Sequence, residues 1–116
     1  MNPSALFLIT SDPRVSPRPA EAIRIAAGVG AWKKTDITVY LREAAVLALS
    51  EYADEFVDED NFTRYLPIVG EFGRPIYAQR GAPLLKEIGE PALKFEEIDD
   101  DRLASLAAQS NYVLRF

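Results

Sequence analysis

The residues best placed to do chemistry in this sequence follow short apolar runs. Ser11, Asp12 and Arg14 come after the first run, in Thr10-Ser11-Asp12-Pro13-Arg14-Val15-Ser16. Arg42 comes after the second, and Gln79 and Arg80 after the third. Carboxylates and guanidinium groups can bind and polarise a substrate, and an Asp12 with a pKa raised by burial would serve as a general base. The loop 10–16 leads into a helix start, where free N–H groups favour anions, and Arg14 and Arg18 add positive charge. It has none of the glycines of a phosphate-cradling loop. A capped turn, in which Asp12 or Ser16 bonds backbone amides, explains it as well. Arg42 and Arg80 would form a cationic pocket if they pointed into one crevice; surface pairing with acidic neighbours is the commoner outcome.

Other chemistry is excluded by what is missing. The 116 residues contain no cysteine and no histidine. That removes disulfides, thiolate metal sites, cysteine nucleophiles, the commonest general base and the commonest zinc ligand. No metal site, no cofactor and no catalytic residue is assigned. Asp99-Asp100-Asp101 reads as a helix cap before it reads as a metal site. Residues 51–60 hold six acidic groups, without the spacing or glycine of a calcium loop, and read as a solvated stretch. Gly28-Val29-Gly30 lies within a helical pattern, where close packing explains it better than a dinucleotide motif.

Positioning these residues requires a small α/β domain. Apolar residues make up 48% and charged residues 27%, which is ordinary globular composition for one domain spanning 1–116. Strands are predicted near 5–10, 36–41, 75–78, 94–98 and 111–115, the first two as buried apolar or β-branched runs. Helices are predicted over 20–34, 43–52, 62–72, 82–88 and 102–109. Pro17 and Pro19 bracket the first helix start with Ser16 as its N-cap, and Pro67 kinks or shortens the third helix. The alternation predicts a three-layer α/β/α sandwich around a mainly parallel five-stranded sheet. A flavodoxin-like strand order, 2-1-3-4-5, is expected, with ligands at the carboxyl edge.

The run Leu6-Phe7-Leu8-Ile9-Thr10-Ser11-Asp12-Pro13 is followed by the Ala-rich helix from Pro19 to Val29 and the strand Ile37-Thr38-Val39-Tyr40-Leu41. With Gly73-Arg74-Pro75-Ile76-Tyr77-Ala78, these segments resemble the DsrE/DsrF/TusD family of small sulfur-relay proteins, which have the YchN-type fold. The resemblance implies that fold and assembly into trimers or hexamers, including hetero-oligomers with cysteine-bearing paralogues. In active members a cysteine at the end of the third strand carries a persulfide. The matching place here is Ala78 or Gln79, and without a thiolate no persulfide forms.

Two functions follow as expectations. The first is a non-catalytic, oligomeric binding or scaffold subunit. The second is a protein binding a small anion or nucleotide, or a cysteine-independent enzyme, with its site at the carboxyl edge. The net charge of −5, with no basic block, argues against nucleic acid. The apolar run at 5–9 is too short for a signal peptide or a membrane span, so a bacterial cytoplasmic protein is expected. The wide apolar arc of the first helix and the apolar residues Leu66, Ile68, Val69 and Phe72 suggest a homo-oligomer.

Overall fold

The structure, a computed structural model, describes residues 2–116. In β1 (Ser4–Ile9), Ala5, Phe7 and Ile9 point to one face and Leu6 and Leu8 to the other. Both sets are apolar because the sheet is covered on both sides. β2 (Asp36–Leu41) repeats the pattern, with Ile37, Val39 and Leu41 opposite Tyr40. β3 (Ile76–Gln79), β4 (Phe95–Ile98) and β5 (Tyr112–Arg115) complete a sheet whose pairings are all parallel.

The helices follow the expected sequence with local differences. α1 (Arg18–Ala31) is N-capped by Pro17, not Ser16, whose hydroxyl instead accepts the N–H of Arg18 at 3.2 Å. Lys33, in the left-handed region at φ 59°, turns the chain before residue 34. The segment predicted as a helix over 43–52 is a 3-10 helix, Glu43–Leu49, in which five consecutive residues from Ala45 are buried. A one-faced α-helix cannot bury five residues in a row. The predicted helix at 82–88 is likewise a 3-10 helix, Pro83–Glu87. α2 (Glu59–Gly70) accommodates Pro67, which is exposed. α3 (Asp100–Gln109) is capped as expected, Asp99 Oδ1 accepting the Arg102 N–H at 2.8 Å.

The strand order is β4-β3-β2-β1-β5, which corrects the expected 2-1-3-4-5. From β1 to β4 the chain steps always in one direction, so right-handed crossovers put every connection on one face. There α1 and α2 cover each other and the sheet, forming the main core with Phe7, Ile23, Leu41, Val46 and Leu66. The step from β4 to β5 runs the opposite way, and its helix α3 lies on the other face over Leu6, Tyr40 and Ile98. Three layers result. Glu96 and Glu97, both exposed, suit β4 to an edge, whereas the expected order buried it between neighbours.

Much of the apolar surface expected at an interface is internal. Ala22, Ile23 and Ala26 are buried, and Leu66 and Val69 of α2 pack in the same core. Gly30 permits this crossing, because a Cβ there would lie 2.2 Å from the Phe72 ring. Val29 and Trp32 remain exposed at 39% and 77%.

Candidate functional site at the carboxyl edge

The six nominated residues lie at or just after the carboxyl ends of neighbouring strands, β1, β2 and β3, but do not form one group. Asp12 and Arg14 make a first group. The Arg14 guanidinium donates to both carboxylate oxygens, at 3.0 and 2.8 Å, and the Arg14 N–H donates to Oδ1 at 2.9 Å. These bonds hold the Asp12 carboxyl below its ordinary range. The expectation of a raised pKa is therefore corrected: Asp12 is an ionised turn residue, too weak a base for proton abstraction near neutrality. Arg14 also borders a cleft of about 350 Å³ with Leu47, Ser50, Tyr52 and Leu84. Ser11 is half-buried beside this turn.

The second group joins β2, β3 and the start of α3. Arg42 donates to Asp100 Oδ1 at 2.8 Å and to the Tyr40 hydroxyl at 3.0 Å. The Tyr40 side chain is fully buried, and burial pushes its phenol pKa up, so it stays neutral. The Arg42 hydrogen bond pulls the Asp100 carboxyl down. Gln79 Oε1 accepts the N–H of Glu43 at 2.9 Å, and Glu43 holds a left-handed φ of 55°. That side-chain bond fastens a turn which a non-glycine residue adopts at some cost. Ala78 is buried in the main core. The end of β3 thus presents a buried methyl group and a structural amide.

Arg80 stands at the topological switch. The chain leaves β3 toward the α1 face and leaves β4 toward the α3 face, the topology at which open α/β sheets place their ligands. Arg80 spans the two strand ends: its N–H bonds the Ile98 carbonyl at 3.0 Å, and its guanidinium reaches Asp99 at 3.7 Å and the Glu97 carbonyl at 3.5 Å. The two Arg side chains do not converge on an open cationic pocket. Each is drawn to an acid at the start of α3 instead, Arg42 to Asp100 and Arg80 to Asp99.

The opposite edge carries two clefts that the sequence reading missed. One, of about 540 Å³, lies between the ends of α1 and α2 and is lined by Lys33, Asp36, Glu71, Phe72 and Arg74. The other, also about 540 Å³, lies beside Arg74, Pro75, Leu93 and Phe95. Arg74 separates them, bonded to Asp36 at 3.2 Å. Their walls combine segments that are separate in sequence, so no local motif marks them. Among the described residues, no group of His, Cys, Asp and Glu could hold a metal ion. No described helix is long and apolar enough to cross a membrane.

No family model matches the chain. No curated protein matches it either. Solved structures do: the crystal structure of the ychN protein from E. coli superposes with a TM-score of 0.81 at 18% identity, covering 100% of both chains. The five-stranded parallel sheet and its two helical layers are therefore a YchN-type fold.

Proposed function

We propose that this chain is a non-catalytic, oligomeric binding or scaffold subunit related to the sulfur-relay proteins. One observation carries the reading. At the end of β3, Ala78 is packed in the core and the Gln79 amide is spent on the Glu43 N–H, so no nucleophile stands there. The likeness to ychN supports the relationship at the level of the fold. Such a subunit would assemble as a homo-oligomer, a trimer or hexamer, or beside cysteine-bearing paralogues in a bacterial cytoplasm. The purified chain incubated with a persulfide donor should keep its mass; a stable gain of one sulfur atom overturns the reading. Light scattering in moderate salt tests assembly, and a mass near 12.9 kDa at tens of micromolar means a monomer.

A second reading has its own support in Arg80. Its side chain is 63% exposed at the topological switch and its guanidinium makes only long contacts, so a small anion could displace them. A thermal-shift screen with phosphate, sulfate and nucleotides distinguishes the two readings, because only an anion-binding protein is stabilised saturably. The Arg80→Gln variant should abolish that stabilisation.

A further inference from the structure

We infer that the free edge of β5 is a two-fold contact between copies of this chain, in which β5 pairs antiparallel with β5 of the partner. The inference rests on the proposed homo-oligomeric assembly and adds the surface, the symmetry and the atoms. The two edges of the sheet are unlike. β4 displays Glu96 and Glu97, the kind of charge that blocks edge pairing. β5 reads Tyr-Val-Leu-Arg, and Tyr112, Val113 and Leu114 are exposed at 61%, 39% and 36%. It has no proline and no acidic residue, and among the described residues no strand or helix covers its outer side.

On that side the Val113 N–H and C=O are free to bond. Phe116 bonds β1 through both its groups, its N–H to the Leu8 carbonyl at 2.9 Å and its carbonyl to the Thr10 N–H at 2.8 Å. Parallel ladders alternate in this respect, so Val113 and Arg115 turn their N–H and C=O outward. Arg115 agrees: its carbonyl accepts the Arg18 guanidinium at 3.1 Å, outside the ladder. An antiparallel pair centred on Val113 would let two copies exchange the same two hydrogen bonds, each N–H donating to the other's carbonyl. A strand edge with one free donor and one free acceptor on a single residue is its own complement under a two-fold axis.

The side chains fit the same occupant. On the α1 face, Tyr112 and Leu114 border a groove of about 510 Å³ against Ile25 and Val29. None of the nine residues lining it is charged, although charged residues make up 27% of the chain. A second copy brings an equally neutral edge, so the −5 of each chain is kept out of the contact. The register centred on Val113 sets Tyr112 of the partner subunit opposite Leu114, where its ring covers the groove. It also sets Arg115 opposite Asn111 of the partner subunit, away from the partner's Arg115. Val29 and Trp32 follow Ile25 at helical spacing and extend the apolar rim.

The test compares the wild-type chain with Val113→Pro and Val29→Lys by sedimentation equilibrium. Proline removes only the outward N–H and leaves the β1 ladder intact. Lysine puts a charge at the rim from an exposed helix position. The wild type should have a mass that is an even multiple of 12.9 kDa. Each variant should raise the dissociation constant of the two-fold contact by about tenfold or more. In hydrogen exchange on the wild type, the Val113 and Arg115 amides should be slow in concentrated solution and become fast on dilution, while the Phe116 amide stays protected. A wild-type monomer overturns both this contact and the assembly reading. An oligomer whose mass survives both variants, with fast Val113 exchange, overturns the β5 contact alone and leaves assembly standing on another surface. If a variant fails to fold, the wild-type exchange result decides by itself.

Discussion

The two faces of the sheet differ in how deeply they are covered, and the difference comes from the direction of the crossovers. Four strands laid down in one direction send α1, α2 and both 3-10 helices to the same side, where the buried core is continuous. The single reversed step supplies only α3 to the other side, and no residue of α3 is fully buried. The thick face relies on hydrophobic burial. The thin face relies more on polar joints: the Asp99 cap, and Arg42 held between Tyr40 and Asp100.

Truncating one large side chain on each face breaks this comparison most directly. Phe7 is buried on the thick face and stacks on Phe116 with ring centroids 5.6 Å apart. Phe7→Ala should cost about 3–5 kcal/mol in urea denaturation. Leu106, half-buried on the thin face, should cost about 1–2 kcal/mol on truncation to Ala. Equal losses would mean the faces contribute alike.

The glycines of α1 sharpen the same contrast within one helix. Gly30→Ala pushes a methyl group into the Phe72 ring and should destabilise by about 1–3 kcal/mol, with recovery when Phe72 is also reduced to Ala. At Gly28 an added Cβ meets nothing within 4 Å, so Gly28→Ala should stabilise by about 0.5–1 kcal/mol.

On the thin face the effects are smaller. Asp99→Ala removes the α3 cap and should lower stability by about 1 kcal/mol. The Arg42–Asp100 pair adds a pH dependence whose sign is fixed. The Asp100 carboxyl lies below its ordinary value of 3.8 when folded, as does Asp12 beside Arg14. Their contribution is complete above the unfolded value and is lost as pH falls through the folded ones. Denaturation midpoints followed below pH 4 should fall less steeply for Asp100→Asn than for the wild type.

The first two strands were legible because 5–9 is a continuous apolar run, as a strand buried on both faces requires, and 36–41 is rich in β-branched and aromatic residues. Asp99 announced its cap by type and position. The strand order was not read, although Glu96 and Glu97 marked β4 as an edge; parallel neighbours are chosen by crossover direction, which local pattern does not record. The 3-10 helix after β2 escaped because alanine, valine and leucine fit a helical period even when five residues in a row are buried. The nominated residues stand where strand geometry put them, but their partners come from elsewhere in the chain. Asp100 reaches Arg42 across 58 residues, and Gln79 reaches Glu43 across 36. A pattern of neighbours in sequence could not show that these groups would be engaged.

The placement of β5 beside β1 has a kinetic consequence. Ser4 and Asn111 meet across 107 residues, and Thr10 meets Phe116 across 106. While the chain is being synthesised, β1 can recruit β2 within a few dozen residues, but its other flank stays bare until β5 arrives. During that interval the Leu6 and Leu8 backbone groups are an open template at the most apolar strand of the molecule, and non-local pairing of this kind is the slow part of folding. Any holdase or misfolding event acting on the nascent chain would find its first target on that flank.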